Sequence, residues 1–207
     1  MGGFNVVKIL LIIPYKDVED QVYQQLRDVD RKDIVIETTH IFGTNHSAIK
    51  ERDPDIIVAR GMTCAALALQ YPNKHMVEIS MTSYDILAAL AEAKRRFAPK
   101  RVALCIAGLQ SGDIENVATL TGIEIDFFSV SDEAEVDSAI TKGLRQGVEV
   151  FIGGLTVCQE CRKQNIPNIH IKTSRHALKT AITEAVTTAV TLNQERGKTV
   201  LFQSLLN

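Results

Sequence analysis

Eight short runs rich in β-branched residues alternate along this chain with eight stretches of helical period. The runs fall at 7–13, 34–39, 55–59, 75–79, 101–106, 124–128, 149–152 and 168–171, and the helical stretches at 18–29, 47–52, 64–70, 83–97, 113–121, 132–146, 158–164 and 174–194. Several runs are apolar almost throughout, as in Val6-Val7-Lys8-Ile9-Leu10-Leu11-Ile12-Ile13. That is the pattern of a parallel strand covered by helices on both faces, because a strand with one wet face alternates instead. Strand and helix in strict succession define an α/β class. The prolines agree: Pro54, Pro72, Pro99 and Pro167 precede strands and Pro14 follows one, positions where a missing N–H costs no ladder bond.

Eight strand–helix units can close into one barrel, but such barrels more usually need about 250 residues, and this chain has 207. Two sheets of about four strands fit better, and the halves look alike. Residues 55–70 read DIIVARGMTCAALALQ and 149–164 read EVFIGGLTVCQECRKQ. Each is a strand, a glycine turn with threonine, and a cysteine near a helix start. The expected architecture is two Rossmann-like α/β lobes, each a parallel sheet with helices on both faces, with a ligand cleft between them. The expected boundaries are 1–82 plus 174–198 for the first lobe and 83–173 for the second. The apolar tail 199–207 is expected to lead into a following domain, or else to form a dimer contact.

Charge narrows the function classes. Lys plus Arg is 23 and Asp plus Glu is 25, a net charge of −2. A nucleic-acid reader shows a basic surplus or stripe, and neither is present. The apolar run at 6–13 is too short to span a bilayer and lacks the cationic leader of a signal peptide. The expected location is therefore cytoplasmic, with no membrane partner. Four cysteines, Cys64, Cys105, Cys158 and Cys161, do not make a disulfide scaffold.

In open α/β sheets ligands collect at the carboxyl ends of strands, so the strand-to-helix turns carry the candidate site. The first is Arg60-Gly61-Met62-Thr63: glycine permits close backbone approach, the following helix presents free N–H groups, and Arg60 suits a carboxylate. The second is Gly153-Gly154-Leu155-Thr156, with the same anion-binding logic. The third holds Ser83, Tyr84 and Asp85, with Ser83 as the expected N-cap and Tyr84 placed to close over a ligand or to pack between lobes. The fourth is Lys172-Thr173-Ser174, Ser174 capping the last helix and Lys172 offering a second anion contact. No P-loop or dinucleotide fingerprint occurs, and no cofactor is expected.

These turns in this order, ARGMT, then VEISMTSYDILAALAEA, then GGLTV, then KTS before a helix, resemble the sensory domain of PrpR-type propionate catabolism activators, which are sigma-54-dependent transcription regulators. The resemblance covers roughly residues 7–194, and SYDIL after VEI is its most specific part. It implies two Rossmann-like lobes, a small-molecule effector of the 2-methylcitrate kind, and control of a downstream ATPase and DNA-binding helix-turn-helix on the same polypeptide or a partner. The family commonly has a small pair where this chain has Gly61-Met62, and S-G-Y-D where it has Thr82-Ser83-Tyr84-Asp85. Both departures alter pocket size and backbone freedom.

The same residues admit other chemistries. Cys64 and Cys158 at matching places fit a two-thiol racemase of the aspartate/glutamate type; buried small apolar cysteines fit as well. Cys158-Gln159-Glu160-Cys161 is a C-x-x-C, but only His170 or His176 lies near enough in sequence to complete a zinc site. His40 and His46 flank a turn after the second strand, as cleft-lining or surface residues. The acidic run Asp132, Glu133, Glu135 and Asp137 complements a helix dipole. The expectation is a non-enzymatic sensor for a small carboxylated metabolite.

Overall fold

The computed structural model describes residues 6–13, 15–27, 29, 31–40, 47–106 and 115–205. Pro14, His46 and the first residues of the helix expected over 113–121 lie outside them. The chain divides into two compact units, Met1–Ser80 with Arg175–Asn207, and Met81–Ser174.

The first unit is a four-stranded parallel sheet in the order β2-β1-β3-β4, made of β1 (Val7–Ile12), β2 (Ile34–Thr39), β3 (Ile56–Ala59) and β4 (His75–Glu78). Its strands alternate between two cores. Val7, Ile9, Leu11, Ile13, Ile56, Val58, Val77 and Ile79 face α1 (Glu19–Leu26) and α8 (Arg175–Leu205), meeting Val22, Leu178, Ile182 and Ala185. Leu10, Ile12, Ile57 and Ala59 face the other way, toward Ile49 of α2 (Ser47–Arg52) and Cys64 and Leu67 of α3 (Gly61–Gln70). Two covered faces explain why β1 reads as a nearly continuous apolar run: every side chain of this central strand except the exposed Lys8 has a helix to bury against.

The second unit repeats the plan. Its sheet order is β6-β5-β7-β8, from β5 (Arg101–Ile106), β6 (Glu124–Ser129), β7 (Val150–Gly153) and β8 (Asn168–His170), all parallel. α4 (Ser83–Phe97) and α5 (Glu115–Thr121) cover one face, where Ile86 and Leu90 meet Leu104, Ile106 and Ile152. α6 (Glu133–Arg145) and α7 (Leu155–Lys163) cover the other, burying Val136, Ile140, Cys158 and Cys161. The order β2-β1-β3-β4 in the first unit and β6-β5-β7-β8 in the second are one topology, so the duplication visible in the sequence is a duplication of fold.

Each unit takes its long cover helix from a chain crossing: α4 leaves β4 and packs on β7 and β8, while α8 leaves β8 and packs on β1, β3 and β4. α8 is the main departure from the sequence expectation. It was expected over 174–194 and runs unbroken to Leu205, through the boundary expected at 198/199. Its 31 residues span about 46 Å. Near its far end Asn193 Nδ2 donates to the Asp33 carbonyl at 3.1 Å and carboxylate at 3.2 Å, and Arg196 pairs with Asp55. Burial pushes the Asp55 carboxyl up, but the Arg196 guanidinium and the Lys8 N–H outweigh it and hold that carboxyl below the usual range. These polar contacts tie α8 to the amino ends of β2 and β3, so the helix runs from the carboxyl edge of the sheet past its amino edge.

Candidate functional site

Both helices expected to begin at a cysteine begin three residues earlier. α3 starts at Gly61, with Arg60 as its N-cap position, and α7 starts at Leu155, with Gly154 in that position. Gly-Met-Thr and Leu-Thr-Val carry little helix signal, which hid both first turns. Counted from the helix start, Cys64 and Cys158 are each the fourth residue, so their equivalence is closer than their offsets from Thr63 and Thr156 suggest. A fourth residue faces the sheet. Cys64 lies with Leu10, Ile12, Ile57 and Leu67, and Cys158 is fully buried with its thiol 3.8 Å from the Gly153 carbonyl oxygen. Burial, with the Glu78 charge adding to it, pushes Cys64 up to about 11. Burial likewise carries Cys158 to about 11, despite the neighbouring Arg162. Thiols of this kind stay protonated near neutral pH, the reverse of what an acid–base pair of cysteines needs. Cys105 and Cys161 are also free and buried, and burial pushes both to about 12. Among the described residues no group of three or more His, Cys, Asp or Glu is placed to hold a metal ion.

Arg60 is half-buried and extended, with φ −125° and ψ 141°, and its side chain does not cap the helix. Gly61 has φ +53°, the left-handed region that disfavours other residues, so glycine is required there by the backbone. Met62 and Thr63 are half-buried in the first turn of α3 rather than in a loop.

In the second unit the two glycines differ. A Cβ on Gly153 would lie 2.8 Å from both the Cys105 carbonyl oxygen and the Val157 Cβ, so this glycine serves the packing of β5, β7 and α7. Gly154 has an ordinary φ of −72° and no heavy atom within 4 Å of such a Cβ, so neither backbone nor packing calls for glycine there. Open space beside the first N–H groups of α7 is what close approach of a ligand would use. Leu155 and Thr156 are half-buried in that first turn.

The third turn corrects the expected cap. Thr82, not Ser83, is the N-cap of α4: its Oγ1 accepts from the Asp85 N–H at 3.2 Å, and the Asp85 carboxylate accepts from the Thr82 N–H at 2.9 Å. This reciprocal capping box explains why Asp85, a carboxylate, is buried. Ser83 and Tyr84 are exposed, Tyr84 to 72%. Ser174 directly precedes α8, with Thr173 buried and Lys172 exposed before it. Register makes the third and fourth turns equivalent. Ala59 pairs Glu78 and Gly153 pairs His170, so Ile79-Ser80-Met81-Thr82 matches Ile171-Lys172-Thr173-Ser174.

Within the first unit, then, Arg60, Gly61, Met62 and Thr63 sit together at the carboxyl edge of the sheet. Within the second unit, Gly153 ends β7 and Gly154–Thr156 follow it, Lys172–Ser174 follow β8, and Ser83–Asp85 open the helix that packs on both strands. Since α4 ends where β5 begins, its first turn lies at the carboxyl edge too.

The chain is similar in fold to an NtrC family transcriptional regulator from Clostridium acetobutylicum, with 24% identity, a TM-score of 0.74, and 92% of this chain and 98% of that one covered. More distant structures include an extracellular ligand-binding receptor from Rhodopseudomonas palustris HaA2, at 12% identity over 79% of this chain and 58% of that one with a TM-score of 0.38. A maleate cis-trans isomerase from Nocardia farcinica is at 17% identity over 88% and 93% with a TM-score of 0.30. No curated protein sequence matches the chain. The sequence profile described as propionate catabolism activator matches residues 42–195, a span that contains all four turns, and the chain belongs to that PrpR-type family of regulatory, sensory domains in transcription activators.

Proposed function

We propose that the chain is a receptor for a small carboxylated metabolite of the 2-methylcitrate kind, held at the strand-to-helix turns and requiring no covalent chemistry. The observation that carries this reading is Arg60, a half-buried arginine at the carboxyl end of β3 beside the first N–H groups of α3. A guanidinium and a helix N-terminus both favour a carboxylate. Gly154 holds the equivalent place in the second unit with open space around it. One ligand contacting Arg60–Thr63 on one unit and Gly154–Thr156, Ser83–Tyr84 and Lys172–Ser174 on the other would favour the arrangement in which both sets reach it, a shift of population rather than a reaction. The output is α8, which starts at the Lys172–Ser174 turn and carries the chain toward its C-terminus. In the reading proposed here it leads to an ATPase and a DNA-binding domain of a cytoplasmic regulator, on the same polypeptide or a partner.

Thermal unfolding against a panel of mono-, di- and tricarboxylates tests the proposal. A true effector at about one hundred times its dissociation constant stabilises the native state by about 2.7 kcal/mol. For a chain of this size that is a rise in Tm of about 5–10 °C. The acid should be recovered unchanged. Absence of any shift, or conversion of the acid, would overturn the receptor reading.

A further inference from the structure

α8 outruns the core that holds it. Leu178, Ile182, Ala185 and Ala189 bury against the first sheet, and Val186, Val190 and Leu192 pack at the margin of that core. Past Leu192 no α8 side chain among the described residues joins it. The helix nevertheless continues to Leu205, about 20 Å further. Its own sequence does little to hold this stretch, since Thr191, Asn193, Gly197 and Thr199 are weak helix formers.

The buried seam steps by fours and threes through Leu178, Ile182, Ala185 and Ala189, and the same step leads on to Asn193 and Arg196. The seam thus outlasts the apolar core and becomes polar where the helix passes the amino edge of the sheet. Both polar residues find acceptors there. Asn193 Nδ2 donates to the carbonyl and carboxylate of Asp33, the residue just before β2. Arg196 pairs with Asp55, the residue just before β3. β1 lies between β2 and β3, so the two contacts fall on either side of it and oppose a swing of the helix in either direction. The acceptors are themselves held. Arg31 donates two hydrogen bonds at 3.0 Å to the Asp33 carboxylate, and the Lys8 N–H donates to the Asp55 carboxylate at 2.8 Å. Asn193 Oδ1 is buried with no partner among the described residues, a penalty that an apolar seam residue would not carry. What the asparagine provides in return is the contact with Asp33.

We propose that Asn193 with Asp33 and Arg196 with Asp55 form a latch that makes the far end of α8 a rigid part of the first unit. A displacement of that unit is then carried along the helix beyond Leu192. A helix frayed from residue 193 would absorb the same displacement in its loose turns. That α8 is the output element rests on the receptor reading above; the latch itself does not.

The test is amide hydrogen exchange of the whole chain without ligand, comparing wild type with Asn193→Ser/Arg196→Gln. Serine and glutamine lie close to asparagine and arginine in helix propensity, so a change in protection reports the lost contacts. The double variant is expected to exchange roughly fivefold faster or more at residues 193–203, the scale for losing an exposed ion pair together with a hydrogen bond to a charged group. Exchange at residues 178–189 is expected to stay within about twofold of wild type, because the apolar seam holds that stretch. Unchanged exchange at 193–203 would overturn the latch, since the helix would then hold itself. Equal acceleration at 178–189 would also overturn it, since the contacts would then serve the stability of the unit as a whole. No acid enters this experiment, so its failure leaves the receptor reading standing, and failure of that reading in the thermal test leaves the latch standing.

Discussion

Arg60→Ala is expected to weaken binding of the carboxylate effector by more than tenfold and to leave the fold intact. An arginine–carboxylate hydrogen bond contributes about 1.5–3 kcal/mol when both groups are charged, and each 1.4 kcal/mol is a factor of ten in affinity. The fold should tolerate the change because α3 does not use the Arg60 side chain as its cap. Gly61, whose φ of +53° sets the path into the helix, is untouched. Titration of wild type and variant, with circular dichroism on each, checks both halves of the statement. Equal affinity in the two proteins would remove Arg60 from the site.

Phe151→Ala is expected to cost the most stability of any substitution considered, about 3–5 kcal/mol, the range for deleting a buried aromatic side chain. Phe151 is fully buried at the centre of β7, two residues before Gly153. Its ring lies over Gly143 of α6: a Cβ on Gly143 would meet the ring carbons at 2.8 Å. Gly143→Ala alone should therefore destabilise, by about 1–3 kcal/mol of overpacking against a helix-propensity gain of about 1 kcal/mol. With the ring removed the methyl has room, so Gly143→Ala should stabilise the Phe151→Ala protein. This change of sign is a coupling that urea denaturation of the four proteins measures directly. Additive effects would show that the ring and the glycine do not share that space.

The sheet was legible because its strands are buried on both faces. Val7–Ile12, Ile56–Ala59 and Val150–Gly153 are short apolar runs with turn residues at each end, and all three are strands within a residue or two of expectation. Helix starts were less legible where the first turn lacks an amphipathic pattern, as at Gly61-Met62-Thr63 and Leu155-Thr156-Val157. The cap of α4 lies one residue before the one expected, because Thr82 and Ser83 are both good caps. What separates them is the partner: Asp85 stands three residues after Thr82, the spacing a reciprocal capping box needs. α8 runs on past residue 194 with Gly197 inside it, a residue that lowers the helix signal by about 1 kcal/mol against alanine without ending the helix.

The site was legible in part. Glycine turns before helices mark strand ends in any α/β protein, and they led to both Arg60 and Gly154. They did not separate Gly153, needed for packing against Cys105 and Val157, from Gly154, which meets nothing. The cysteines at equivalent places suggested acid–base chemistry, and only burial shows that both serve the core. Strand order and register, with β1 between β2 and β3, are what a single sequence does not display.

Hydrogen exchange of the chain with and without the acid that raises its Tm most tests the central claim directly. The account predicts slowed exchange in the first turns of α3 and α7 together, at residues 61–63 and 155–157, and at the start of α8, with the strands already protected in both states. Slowing in neither turn, or confined to one unit, would contradict a single effector held by both.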